Sequence, residues 1–373
     1  MDLFVYGTLR CHELMTAIAG AAVASKPATL HGYAVHPVAD HIVPMIRPAL
    51  DAVAEGCLYL DIGEEIQFKL DLYEGAFGYA LISVDVQTDQ GPRQAKMYLP
   101  PVDQPFDDRP WSLADWEKDH LAPTLLTVDE IFRRDPLPSK DWLRDRWAII
   151  EKRAWAKHRA SKDTVGAATL RHQPNENDAT ILQQRAPQGE FFQLQSFEVS
   201  HRQFRGKHSG ALQREVFVGT DAGLILPYDA KRDRVLLVEQ LRMGPLLRQD
   251  PNPWALEPIA GMVDAREDPL KAAIREGYEE ARLTFHATES MPHHYPSPGG
   301  STDFFYCYLG LCDLPNLDSY TGGLIDEAED LRLHTLPFDD AMSLIETGEI
   351  RIGVLIMMLY WLGRERDRLR KLA

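Results

Sequence analysis

The stretch GMVDAREDPLKAAIREGYEEARL, Gly261 to Leu283, decides how the C-terminal part of the chain is read. It places Glu276, Glu279 and Glu280 close together, directly after Arg275. Like charges at helical spacing destabilise a helix, so the cluster needs a reason. Asp268 is a good N-cap and Pro269 suits the first helical position, which predicts a helix from Pro269 onward. At roughly 100° per residue, the three glutamates fall within about 100° of one another. Leu270, Ile274 and Ala281 lie on another face, which can dock on a core. Carboxylates presented from an anchored helix suit a hard divalent cation, Mg²⁺ or Mn²⁺. The alternative is a solvated acidic face. Glu257, Pro258 and Ala260–Gly261 lead in from an extended stretch, so the unit reads as strand, loop and helix.

The rest of the chain sets bounds on that reading. A length of 373 residues predicts two or three domains, and 45% hydrophobic content is ample for globular cores. The formal net charge of -16 argues against a nucleic-acid polymer as partner. It leaves room for a nucleotide, because one basic pocket can bind a phosphate. Cys11, Cys57, Cys307 and Cys312 form no CxxC pair, so neither a zinc site nor a disulfide framework is expected, and a reducing cytoplasm fits. MDLFVYGTLR lacks the features of a signal peptide. The longest apolar run, Ile352 to Gly363, is too short to span a membrane. It predicts a buried C-terminal helix, with RERDRLRK after it as a solvated tail.

Three segments emerge. Residues 1–110 hold strand signals in LFVY, EGCLYLDI, YALISVDVQT and AKMYLP, with a short helix in EEIQFKLDLYEG. Residues 111–187 are a helical connector followed by a polar linker, and Trp142, Trp147 and Trp155 are expected to dock on a domain. Residues 188–373 hold further strand signals in FFQLQSFEVSHRQF, LQREVFVG, GLILPYD, RVLLVEQLR and DFFYCYLGLCDL, with the acidic helix between the last two. The predicted class is mixed α/β.

Gly261, Glu267, Arg275-Glu276 and Glu279-Glu280 together resemble the Nudix box of nucleoside-diphosphate-X hydrolases. Two positions depart from it: Gly277 stands where an aliphatic residue is usual, and Arg282 where the helix normally ends in glycine. LLVEQLR, WALEPIAG, YPSPGGSTDFFYCYLG and GGLIDEAEDLRLH are similar to the ADP-ribose pyrophosphatase branch, and NPWALEPIAG and GLCDLP resemble tellurite-resistance-associated Nudix proteins. The resemblance implies an α/β/α sandwich and hydrolysis of a nucleoside diphosphate sugar, ADP-ribose first, to AMP and ribose 5-phosphate. It implies Mg²⁺ or Mn²⁺ held by Glu276, Glu280, Glu329 and the Ala260 carbonyl, with Glu279 sharing the site. It also implies Glu327 as general base, Arg242 on the substrate phosphate, and a homodimer through Phe191 to Val218.

FVYGTLR, EGCLY and DLYEGAFGY, in that order, resemble the gamma-glutamylcyclotransferase-like fold, a β-barrel. In that family the Tyr-Gly-Thr-Leu loop presents backbone N–H groups to a glutamyl group, and one acid moves protons while the α-amine attacks the γ-amide. The corresponding residues are Tyr6, Gly7, Thr8, Leu9 and Glu74. Such an acid needs a dry pocket that tunes its pKa toward neutrality. Equally, Glu74 is a fold residue in a binding module. Three functional readings stand at this point: a Nudix pyrophosphohydrolase, a nucleotide-sugar sensor that binds without cutting, and a cyclotransferase.

Overall fold

The computed structural model describes residues 1–39, 41–101, 104–163, 169–324 and 329–372. Two compact units share the chain: Met1–Phe191 with Ser196–Leu212, and Phe192–Gln195 with Gln213–Ala373.

The first unit is built on a closed barrel of β1 (Leu3–Val5), β2 (Ser25–Pro37), β3 (Pro44–Tyr59), β4 (Ala80–Thr88) and β5 (Gly91–Leu99). Its order is β1-β3-β2-β4-β5, and the parallel contact of β1 with β5 closes it. Closure removes the exposed strand edges. Phe4, Leu30, Ile46, Leu58 and Met97 fill the interior. On the outer face, α1 (His12–Ala19) and α2 (Glu64–Gly75) pack with Leu3, Val5 and Tyr59. β2 and α1 gave no clear signal in the sequence: SKPATLHGYAVHP mixes Pro, Gly and His into the strand. Its long pairing with β3 carries it instead.

Two long helices complete this unit. Ser112 and Ser139 cap α3 (Leu113–Phe132) and α4 (Lys140–Lys162), each accepting a hydrogen bond from a backbone N–H three residues on. Trp116 and Val128 of α3 pack with the α1–α2 layer. Leu143 and Ile150 of α4 pack with Leu72 and Ala76. Arg153 and Glu130, each 1% exposed, pair across the two helices at 2.6 Å. β6 (Ala179–Gln184) runs antiparallel to part of β7 (Gln193–His201).

The second unit holds a mixed sheet made of β9 (Asp221–Asp229), β10 (Arg234–Leu241), β11 (Trp254–Glu257), β12 (Ile259–Met262), β13 (Ala287–Ser290), β14 (Phe304–Leu311), β15 (Ser319–Gly322) and β16 (Leu331–Pro337). Its main path is β13-β14-β9-β10-β16-β15, with β11 on β10 and β12 on β9. β8 (Leu212–Val218) precedes it. Alternation along β9 and β10 sends residues to two cores. Leu224, Leu226, Val235 and Leu237 meet α7 (Phe338–Thr347) and α8 (Gly353–Leu372). Ile225, Leu236 and Val238 meet α6 (Pro269–Ala281). The result is the expected α/β/α sandwich. Among the described residues no helix is long and apolar enough to cross a membrane.

The tail read as solvated continues the last helix and is largely exposed. α8 runs through Leu372, and Leu369 is buried. Arg366 pairs with Asp233 and Asp339, Arg370 with Asp233, and Arg368 with Glu289. The acids that hold these arginines sit on other elements.

Candidate active site

Asp268 accepts from the N–H groups of Leu270 and Lys271, and Pro269 opens α6 as the sequence predicts. The docked face is the expected one at Ala281, which is buried, and at Leu270, which packs on the same core, and differs at Ile274. Ala272, Ala273, Gly277, Glu280 and Ala281 are buried, whereas Ile274 is 39% exposed. Small residues let α6 lie close on β9: a side chain at Gly223 would strike the Pro269 carbonyl at 2.7 Å. Glu280 therefore points into protein rather than into solvent.

Arg275 explains why the acidic helix does not repel itself. Its Nε and Nη2 donate to the two oxygens of Glu267, both at 3.0 Å. Its Nη1 donates to Glu276 at 2.7 Å and to Glu279 at 2.8 Å, and Nη2 also reaches the Met262 carbonyl at 3.2 Å. Hydrogen bonds to these acids hold its pKa well above the usual arginine value. Glu276 crosses the backbone so closely that a Cβ at Gly261 would lie 1.8 Å from its carboxylate oxygen. That contact is the physical need for glycine at 261.

Glu280 is the electrostatic centre of the site. It is 3% exposed, and its pKa is pushed up to about 9, first by burial and then by the charges of Glu276 and Glu329. The Ala260 N–H opposes this by bonding to its carboxylate, while Oε2 has no hydrogen-bond partner among the described residues. Burial also raises Glu276, with Arg275 opposing. Glu329 accepts from the Leu324 N–H at 3.1 Å. Its loop is pinned to the end of α6, where the Gly323 N–H donates to the Glu280 carbonyl at 3.1 Å. A Cβ at Gly322 would meet that carbonyl at 2.1 Å.

Of the expected ligands, Glu276 and Glu329 lie near enough for their charges to act on Glu280, the Ala260 N–H bonds the Glu280 carboxylate, and Glu279 stands beside Glu276 on Arg275. Among the described residues no group of three or more His, Cys, Asp or Glu side chains is arranged so that it could hold a metal ion. The donor set nevertheless suits a divalent cation. A buried carboxyl with an orphaned oxygen beside two further acids is costly without a positive charge. Glu276, Glu280, Glu329 and the Ala260 carbonyl are the groups that would hold it. Glu327 lies outside the described residues.

Arg242 directly precedes α5 (Met243–Leu247), makes no side-chain cap to it, and donates from Nε to Glu257 at 2.6 Å. Its charge is felt at Glu280. Sequence reasoning assigned Glu257 no role, because only the pairing of β10 with β11 brings it beside Arg242. Asp303, also left without a role, accepts from the Ser301 hydroxyl at 2.6 Å.

In the first unit, Tyr6, Gly7, Thr8 and Leu9 form the turn after β1, and Gly7 packs on Pro44. The Leu9 side chain is buried, and its carbonyl accepts from Tyr59 Oη at 3.0 Å. Glu74 keeps part of its surface accessible yet lies deep in protein, and desolvation raises its pKa to about 7. Burial raises Tyr6, Tyr73, Tyr79 and Tyr98, and the Glu74 charge adds to each. The acid therefore lies near enough to the phenols of Tyr6, Tyr73, Tyr79 and Tyr98 for its charge to act on each. Of these phenols, the sequence reading had singled out only Tyr6.

Comparison with known proteins defines the class. Residues 219–354 match the family model described as NUDIX domain, and residues 3–118 match that of gamma-glutamyl cyclotransferase, AIG2-like. The ADP-ribose pyrophosphatase of Escherichia coli (strain K12) is 33% identical over 194 residues, covering 52% of this chain and 92% of that protein. The ADP-ribose pyrophosphatase of Haemophilus influenzae is 32% identical over 190 residues, covering 50% and 87%. A GDP-mannose pyrophosphatase of Escherichia coli is 29% identical over 150 residues, covering 40% and 77%. A crystal structure of an ADP compounds hydrolase aligns with 52% of this chain and 100% of its own, at 20% identity and a TM-score of 0.39. The chain belongs to the Nudix hydrolases of the ADP-ribose pyrophosphatase type, joined to an N-terminal gamma-glutamylcyclotransferase-like domain. It is a Nudix pyrophosphohydrolase.

Proposed function

We propose that the second unit hydrolyses the pyrophosphate bond of a nucleoside diphosphate sugar with Mg²⁺, and that ADP-ribose is the first substrate to test. The observation that carries this reading is the buried Glu280 carboxyl with its orphaned oxygen, set beside Glu276 and Glu329. A bound divalent ion supplies charge neutralisation at the pyrophosphate. The chain's own groups do the rest. Arg242, held through Nε by Glu257, keeps its terminal nitrogens for a phosphate. Arg275 holds Glu276 and Glu279 in place. Glu327 takes the proton of the attacking water. The water oxygen bonds to one phosphorus, the bridging P–O bond breaks, and the products are AMP and ribose 5-phosphate. The names of the relatives support this substrate class.

The test is incubation of the pure protein with ADP-ribose, GDP-mannose and other nucleoside diphosphate sugars with Mg²⁺ or Mn²⁺, following nucleotides by chromatography. Glu280→Gln should lose at least the roughly 10–100-fold that altered partners of metal ligands cost. Near wild-type turnover in that variant would sink the ligand assignment. No cleavage of any sugar nucleotide would favour a sensor that binds without cutting.

One observation favours a second activity in the first unit. Glu74, raised to about 7 beside the Tyr6 loop, is poised for proton transfer near neutrality. In that reaction the α-amine of a γ-glutamyl amide attacks its γ-carbonyl, the ring C–N bond forms and the amide C–N bond breaks. Glu74 carries the proton from the attacking amine to the leaving one.

A further inference from the structure

The match to the cyclotransferase family ends at residue 118, yet the last turn of α2, which carries Glu74, and the loop after it rest on a helix beyond that point. α4 meets this loop along its length. Its Lys140 side chain lies over Gly75, where an added Cβ would stand 2.7 Å from Cδ. Trp147 meets Phe77 edge-on at 4.5 Å between ring centroids and Tyr73 at 5.6 Å. Leu143 and Ile150 bury Leu72 and Ala76, which flank the acid on both sides. Within the loop the Phe77 N–H donates to the Glu74 carbonyl at 3.1 Å and the Gly78 N–H to the Gly75 carbonyl at 3.1 Å. Glu74 has reached the end of its helix, where backbone support is weakest.

We propose that α4 is part of the N-terminal site, and that Trp147, acting through Phe77 and Tyr73, is a positioning residue that fixes the Glu74 loop and keeps water from the acid. The inference rests on the reading of Glu74 as a proton carrier. It does not require that reading for its test, because the ionisation of Glu74 can be followed without substrate. The groups facing the acid are phenols, Tyr6, Tyr73, Tyr79 and Tyr98, with Asp71 accepting from Tyr98 at 2.7 Å. From α4, Glu151 acts on Tyr73 and Lys140 covers Gly75. Trp147 therefore adds dryness and shape and no charge.

The experiment uses the full chain and a γ-glutamyl-alanine dipeptide, with 5-oxoproline release measured across pH. Trp147→Ala and Phe77→Ala should each lower kcat by up to about 10²-fold with a smaller change in KM, as a misplaced group does. The acid limb of the pH profile should move to lower pH in both. Trp147→Phe, which keeps a ring at the contact, should stay near wild type. Phe77 is 43% exposed, so its removal is a mild change to the fold and guards against a Trp147 variant that does not fold. Unchanged kcat and pH profile in both alanine variants would overturn the proposal. If the wild type releases no 5-oxoproline, the cyclotransferase reading fails and the positioning is still read. The pH dependence of the first unit's thermal midpoint is then compared with and without Glu74→Gln. A Glu74 window that ends at lower pH in Trp147→Ala or Phe77→Ala supports the proposal, and an identical window in all backgrounds overturns it.

Discussion

Gly277 shows how a departure from the Nudix pattern is absorbed at the scale of one residue. The position usually carries an aliphatic side chain. Here the ring of Phe285 occupies the space, and a Cβ on Gly277 would lie 2.5 Å from it. Gly310 on β14 makes room for the same ring from the other side, with a Cβ 2.4 Å away. Gly277→Leu should gain about 1 kcal/mol of helix propensity and lose roughly 1–3 kcal/mol to overpacking, so the clash wins. In a denaturation double-mutant cycle, Gly277→Leu with Phe285→Ala should cost less than the sum of the two single changes. Strict additivity would show that the ring is not what excludes the side chain. Arg282 is a smaller departure: it keeps the left-handed conformation expected of glycine, at φ 55°, and its guanidinium lies over Tyr278. The Nudix motif was legible at these positions, but Phe285 was not, because nothing local marks a ring that fills another element's gap.

At the scale of elements, α3 and α4 are joined by a buried charge pair. Arg153 donates to Glu130 and to the Phe191 carbonyl at 2.9 Å, and Arg134 lies 3.8 Å from the same acid. Removing one partner strands the other in a low-dielectric interior. Glu130→Ala should cost about 3–5 kcal/mol, read as a lower thermal midpoint of the first unit. Replacing both charges with Leu and Met should recover most of that loss, because the desolvation penalty leaves together with the attraction. If the double variant were as unstable as Glu130→Ala, packing rather than charge would be the cause. The connector was legible as helical, and its tryptophans as docking on a domain. Its partners were not, because a buried arginine and a solvated one look alike in sequence.

For the whole molecule, the two units have separate cores, and pH should distinguish them. Glu74 has an unfolded value of 4.5 and a folded value near 7. The folded state therefore binds the proton more tightly. The stability this adds is fully present below about pH 4.5 and is lost as pH rises through about 7. The loss should be on the order of 1–3 kcal/mol, reduced by the partial exposure of the side chain. Calorimetry of the full chain should show the first unit's transition falling across that window, and Glu74→Gln should flatten it. A first-unit transition with the same pH dependence in both proteins would remove Glu74 as its source.

The sequence by itself determined the two fold families, the start of α6 and the set of acids around Arg275, because those depend on residue type at short spacing. Caps, periodicity and the Nudix spacing all act within one helix or one loop. Only the tertiary structure decided that Ile274 of α6 stays partly exposed, that Glu280 points inward, that Glu257 holds Arg242, and that α4 packs on the end of α2. Each of these depends on strand register or helix packing between segments far apart in the chain. Burial then sets the pKa of Glu280 and of Glu74, since desolvation is a property of the surrounding protein and not of the residue.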